Sequence, residues 1–126
     1  MFDVTIAIPD GEYRIDDDRL GAALQARWPR TVLVPATGRM ATYNTGQWQV
    51  YGTDDDAEIA LLRVHTARNA VDIEVADDGV AALVVSTVTH LPAFPSTGEV
   101  LLFEWHASGP AALTAAMTPE DVLALR

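Results

Sequence analysis

Two short apolar-rich runs within residues 58–76 are separated by a polar break. Both runs are rich in Val, Ile and Leu, which predicts two antiparallel strands joined as a hairpin. The expected register sets Leu62 opposite Ile73 on one face and Arg63 opposite Asp72, as a charge pair, on the other. A slip of one residue would turn carboxylates toward the core, so burial selects this register.

A second hairpin is predicted around the turn at residues 44–46, which ends in glycine. Its arms are expected at residues 39–43 and 47–51. Residues 31–35 form a short strand that is apolar at every position after Thr31, which is typical of a central strand with neighbours on both sides. The remaining strands are predicted at 2–8, 99–107 and, as a short edge strand, 111–117.

Three helices are predicted from apolar positions spaced three and four residues apart. Gly21 lies within the first helix, where we expect another element to approach closely. The helices begin at N-caps and end at prolines or at the chain end: Asp16 or Asp17 to Pro29, Asp77 to Pro92, and a short C-terminal helix after Thr118.

The order of these elements implies one α+β domain over residues 1–126. We expect a mostly antiparallel sheet of about six or seven strands. Two main helices and the short C-terminal helix should pack mainly on one face of that sheet. A chain of 126 residues is long enough for a single hydrophobic core.

The charge of the chain limits its partners. Eighteen acids outnumber eight bases, all of them arginine, and leave a net charge of −10. Such a surface repels nucleic-acid phosphates and anionic lipid, so we expect no nucleic acid and no membrane as a partner. It favours a basic protein, or it serves solubility alone. The chain has no cysteine, no apolar run that could span a membrane and no signal peptide, which favours the cytoplasm.

No cluster of residues has a catalytic or metal-binding signature. The three histidines, His65, His90 and His106, lack the short paired spacing of metal ligands, so neither a metal nor another cofactor is expected. Alternation along the strand at 99–107 places Glu104 and His106 on one face, as an acid supporting a general base would lie. An outward strand face carries polar residues for no catalytic reason, so these two residues are candidates only.

A second candidate site combines acids with aromatic residues. Asp54, Asp55 and Asp56 form a loop that we predict to be exposed, beside the strand that carries Tyr51. The predicted second hairpin adds Tyr43. Tyrosine provides contact area at low entropic cost, and carboxylates steer a basic partner. These five residues are the predicted partner-binding site.

We therefore expect a non-enzymatic protein-binding module. Immunity proteins, which neutralise a co-encoded toxin, include small acidic proteins of this kind, and a basic toxin is the leading candidate partner. Two alternatives stay open. One is a small-ligand-binding or enzymatic domain with Glu104, His106 and His65 lining a cleft. The other is a homo-oligomeric structural protein, such as a homodimer, that associates through the small residues of the second helix.

Overall fold

The computed structural model describes residues 2–54 and 57–126. These residues form seven strands: β1 (Phe2–Ala7), β2 (Val32–Pro35), β3 (Asn44–Tyr51), β4 (Glu58–His65), β5 (Ala70–Val75), β6 (Leu101–His106) and β7 (Gly109–Ala112). All neighbouring strands are antiparallel, and they make one sheet in the order β2-β3-β4-β5-β1-β6-β7. Strands β2 and β7 are therefore its two edges.

The described residues also form four helices. They are α1 (Asp17–Arg27), α2 (Met40–Tyr43), α3 (Asp78–Thr89) and α4 (Pro119–Leu123). Helix α3 contacts α1, α4 and the central strands, and alternate strand residues such as Leu62 and Ile73 are fully buried in the shared core. The intervening strand residues, such as Arg63, stay partly exposed on what we call the open face. The predicted α+β class is confirmed.

The predicted register of the central hairpin is confirmed. Leu62 pairs with Ile73, and Arg63 pairs with Asp72 along the backbone. The expected ion pair between those last two side chains is wrong, however. The Arg63 guanidinium lies 3.5 Å from the carboxylate of Glu74, because the Asp72 carboxylate is already bonded by other neighbours on the open face.

The second predicted hairpin is wrong. Its first arm is mostly the short helix α2, and β3 continues through the predicted turn as one strand. Burial alternates regularly along β3 from a buried Asn44 onward, which leaves no turn at residues 44–46. Gly46 serves a close strand contact instead, since a Cβ there would lie 2.9 Å from the carbonyl oxygen of Val34.

Strand β6 contains a bulge that simple alternation does not predict. Glu104 has a φ of +64°, and the pairing with β7 shifts between Leu102 and His106. The bulge changes the phase of the strand, so Leu102 and Trp105 are both buried whereas Phe103 lies on the open face opposite β1. The prediction that side chains alternate regularly between the two faces along the whole of β6 is therefore wrong.

Local signals predicted α1, α3 and α4, but not the short helix α2. The side chain of Asp16 accepts a hydrogen bond from the Arg19 N–H at 3.1 Å and caps α1. A Cβ added to Gly21 would lie 2.2 Å from the ring of Trp48, which confirms the close approach. The predicted edge strand is present but begins earlier, at Gly109, and is shorter. None of the helices in the described part of the chain has the length and apolar character needed to span a bilayer.

Candidate functional site

Exposed apolar side chains are concentrated at the β2 edge. Six large apolar side chains are exposed among the described residues, and five of them lie between residues 32 and 43. These five, which we call the edge cluster, are Val32 (48% exposed), Leu33 (45%), Val34 (38%), Met40 (50%) and Tyr43 (67%). Single exposed apolar residues are ordinary, but a contiguous group of them marks an interaction surface.

Strand β2 has the sequence of a central strand but lies at the edge of the sheet. Its residues are apolar on both faces: Leu33 pairs with the buried Trp48 on the helix side, while Val34 pairs with Gln47 on the open face. Among the strands of the described residues, only β3 lies beside it. The expectation that residues 31–35 form a central strand is therefore wrong for the isolated chain, and apolar surface that a neighbour would cover is left exposed.

One backbone hydrogen bond defines which groups of β2 point outward. The Ala36 N–H donates to the Thr45 carbonyl of β3 at 3.5 Å. Because backbone groups alternate in direction along a strand, Val34 also faces β3, whereas Leu33 and Pro35 face away. Leu33 thus presents both an N–H and a carbonyl, and Pro35 presents a carbonyl alone. Of the usual protections of an edge strand, β2 has its short length of four residues and this terminal proline, and it carries no charged side chain.

The turn between β4 and β5 holds the backbone of Tyr43, just before the start of β3. The backbone N–H of Thr66 donates to the Tyr43 carbonyl at 2.8 Å, and its hydroxyl donates to the Thr42 carbonyl at 3.0 Å. The exposed ring of Tyr43 therefore projects from a fixed backbone, which lowers the entropic cost of a contact through it. A shallow cleft between α2 and β2 is lined by Val34, Pro35, Thr37, Met40, Asn44 and Gln47.

The sequence around the edge cluster carries no acid. Residues 27–53, which include all of β2, α2 and β3, contain none of the 18 acids of the chain and three of its arginines, Arg27, Arg30 and Arg39. The rest of the molecule holds all 18 acids and only five arginines, so the whole negative charge of the chain arises there. The β2 edge is an apolar surface within a neutral to basic segment of an acidic protein.

The predicted acidic and aromatic site is divided between the two ends of β3. Tyr43 precedes the strand, whereas Tyr51 ends it and Asp54 follows it. Tyr43 and Tyr51 are eight residues apart in the sequence, which corresponds to about 26 Å along the strand. The Tyr51 hydroxyl donates to Gln49 Oε1 at 3.2 Å, and Asp54 is exposed. The other two predicted loop residues, Asp55 and Asp56, lie outside the described residues.

Of the alternative catalytic site, Glu104 and His106 line one open pocket beside the turn between β6 and β7, and the residues lining that pocket do not include His65. Glu104 lies in the β6 bulge, and His106 Nδ1 accepts a hydrogen bond from the Ser108 N–H at 3.0 Å. No hydrogen bond between Glu104 and His106 is present in the described part of the chain. His65 lies on β4, three strands from β6, a separation of roughly 14 Å.

Instead, the His65 side chain pairs with the carboxylate of Asp72. Its Nε2 lies 2.9 Å from Asp72 Oδ2, and the Thr5 hydroxyl donates to Asp72 Oδ1 at 3.0 Å. The predicted hairpin register places His65 diagonal to Asp72 on one face, so the pair was foreseeable. The Thr5 hydroxyl donates to the Asp72 carboxylate and not to the His65 imidazole. His65 is therefore not placed to activate the Thr5 hydroxyl as a nucleophile. Within residues 2–54 and 57–126, no three His, Asp or Glu side chains converge as metal ligands would.

The open face also carries an unfavourable charge contact. Asp3 on β1 is directly opposite Glu74 on β5, and like charges in that position are destabilising. Arg63 neutralises part of this charge through its 3.5 Å contact with Glu74. Asp3 makes no ion pair with any other described residue.

Comparison with protein-family models, with curated proteins and with solved structures finds no match to this chain. The function is therefore inferred from the geometry of the molecule.

Proposed function

We propose that this protein is a non-enzymatic protein-binding module and that the β2 edge is its binding site. One observation carries the proposal: a strand with the composition of a central strand lies at an edge with its outer side open. An extended segment of another chain would add there as a further strand. It would accept a hydrogen bond from the Leu33 N–H, donate one to the Leu33 carbonyl, and cover Val32 and Val34 with its side chains.

Apolar contact supplies most of the expected affinity. A backbone hydrogen bond contributes only about 0.5–1.5 kcal/mol in water. Complete burial of a valine, leucine or methionine side chain stabilises by about 1.5–3 kcal/mol, and the edge cluster is about half exposed, so each member gains roughly half of that. Tyr43 adds an aromatic anchor at one end of the strand.

In-cell cross-linking tests this proposal. A photoreactive amino acid placed at Val34 should form adducts with another protein chain in cells that express the protein naturally. The same group at Ala22, an exposed position on α1, is the matched control and should form few. Adding Leu33→Pro to the Val34 probe should abolish the adducts, because proline removes the outward N–H of β2. No adduct at Val34, or equal adducts at both positions, would contradict the proposal.

A second candidate function uses the acidic surface. The field of a chain with a charge of −10 speeds encounter with a basic protein, a toxin in the immunity-type case. The opposed carboxylates of Asp3 and Glu74 favour the open face for this contact, since a cationic side chain would relieve their repulsion.

Association kinetics separate the two acidic regions. Against the basic product of a neighbouring gene, the double change Asp3→Asn with Glu74→Gln should slow association and flatten its salt dependence. The triple change of Asp54, Asp55 and Asp56 to asparagine tests the predicted loop in the same way. Unchanged association in both variants, at low and high salt, would reduce the net charge to a role in solubility.

A further inference from the structure

We infer that the chain covering the β2 edge is a second copy of this protein, paired antiparallel about a two-fold axis at Leu33. This inference rests on the proposed function, because it names the occupant of the same edge. Three properties of the edge favour a copy of the chain over an unrelated segment: its charge, its backbone groups and its side-chain order.

The charge distribution restricts where two copies meet. Two molecules that each carry −10 repel one another unless their contact lies where acids are scarce. The segment 27–53 contains none of the 18 acids and holds the whole edge cluster. A basic partner would gain most from the acidic parts of the surface, which lie outside this segment. The β2 edge is thus suited to self-association.

The outward backbone groups of β2 are self-complementary. With Leu33 opposite the partner's Leu33, each residue donates its N–H to the carbonyl of the other, as in a hydrogen-bonded pair of an antiparallel ladder. The next outward position sets Pro35, which has no N–H, opposite the partner's Thr31. Thr31 does not require a hydrogen bond from that proline. Its N–H already donates to the Trp28 carbonyl at 3.0 Å, and its carbonyl accepts from Gln25 Nε2 at 3.3 Å.

The side chains follow the same symmetry. The register places Val32 against the partner's Val34 and, by the two-fold axis, Val34 against the partner's Val32. Both pairs lie on the open face, while the two Leu33 side chains meet on the helix side. Every contact is made twice, as an isologous interface requires. Two seven-stranded sheets then form one continuous sheet, with both open faces on the same side.

The molecular mass in solution tests whether a dimer forms through this edge. Sedimentation equilibrium of the purified full chain should give twice the 13.6 kDa of one copy. Leu33→Pro should give a monomer, whereas Leu33→Val, which keeps the N–H, should remain dimeric. The Leu33 N–H points away from β3, so the proline is compatible with a folded edge strand. If that variant unfolds by circular dichroism, Val34→Arg, which places a charge against the partner's Val32, should give a folded monomer.

Disulfide trapping tests the register. The chain has no cysteine, so Val32→Cys and Val34→Cys are single-cysteine proteins. In the proposed pair these positions face each other with Cα atoms about 4.5 Å apart, within disulfide range. An equimolar mixture of the two variants should therefore form a linked dimer under mild oxidation. Either variant alone should form much less, because each cysteine then faces a valine.

The outcomes distinguish this inference from the proposed function. Two results would contradict the inference that a second copy covers the β2 edge. One is a monomeric wild-type chain, and the other is a dimer that forms no more disulfide in the mixture than in the separate variants. In-cell adducts from Val34 to a different protein would then leave the β2 edge as a binding site with another occupant. If Val34 forms no adducts as well, the proposed function fails too.

Discussion

Gly21 shows how a single absent side chain positions the core. The Trp48 ring occupies the space that a Cβ on α1 would need, at 2.2 Å. Gly21→Ala should therefore destabilise the fold by about 1–3 kcal/mol through overpacking, despite the better helix propensity of alanine. Gly79→Ala is the matched control in α3, where an added Cβ meets only Asp77 Oδ1 at 3.3 Å. Chemical denaturation should find that control neutral or stabilising, and equal losses in both variants would contradict this account of Gly21.

Ile73 anchors the centre of the sheet. It is fully buried and pairs with Leu62 on one side and Val4 on the other. Ile73→Ala should lower the free energy of unfolding by about 2–4 kcal/mol, from lost apolar burial and the cavity left behind. Urea denaturation measures the loss. A change below about 1 kcal/mol would mean that the site collapses around the smaller residue.

The hydrogen bonds of Glu99 make the stability of the fold depend on pH in the acidic range. Its carboxylate accepts hydrogen bonds from the Thr97 hydroxyl at 2.8 Å and the Tyr13 N–H at 3.4 Å. These bonds, led by that of Thr97, lower the pKa of Glu99 below its usual value of 4.5. A lowered folded-state pKa contributes stability that is present above the unfolded-state pKa and is lost as pH falls through the folded-state pKa.

The substitution Glu99→Gln should remove that part of the acid sensitivity. Thermal unfolding over a pH series would then show a smaller fall in the midpoint below pH 4.5 than in the wild type. Glu104→Gln is a suitable control, because it removes an exposed carboxylate that lacks these bonds. Identical pH profiles for wild type and Glu99→Gln would contradict the role of this carboxylate.

At the level of elements, the sequence predicted the features that depend mainly on residues close together in the chain, such as helix caps and the central hairpin. The caps at Asp16, Asp77 and Thr118 each satisfy backbone donors that no other part of the chain supplies. The central hairpin was predictable because only one register buries its apolar face. The turn proposed at residues 44–46 failed because its glycine is needed for the approach of β2, a contact that lies elsewhere in the chain.

The β6 bulge could not be predicted, because no glycine marks it. Glu104 takes a left-handed conformation that costs about 1–2 kcal/mol for a residue with a side chain. Glu104→Gly should relieve this strain and, after the entropic penalty of glycine, stabilise the fold by up to about 1 kcal/mol. Phe103→Gly, one residue earlier in regular strand conformation, should destabilise it. Thermal denaturation of both variants checks the pair, and a destabilising Glu104→Gly would argue against strain at the bulge.

At the level of the whole molecule, the sequence predicts the amount of charge and not its arrangement. The net charge of −10 is evident from composition, but the concentration of exposed apolar residues at one edge depends on strand order. Residues 31–35 were predicted to be central, and that prediction failed for the single chain. A second chain against β2 would reconcile the sequence with the fold, since β2 would then have neighbours on both sides.

Amide hydrogen exchange at Leu33 tests the central claim most directly, because this N–H is the outward donor of β2. In the protein isolated in its native assembly, the Leu33 amide should exchange slowly, with protection comparable to that of Val34, which faces β3. In Val34→Arg, Leu33 should become fast while β3 remains protected. Rapid exchange of Leu33 in the wild-type assembly, alongside a protected Val34, would show that no chain pairs with this edge.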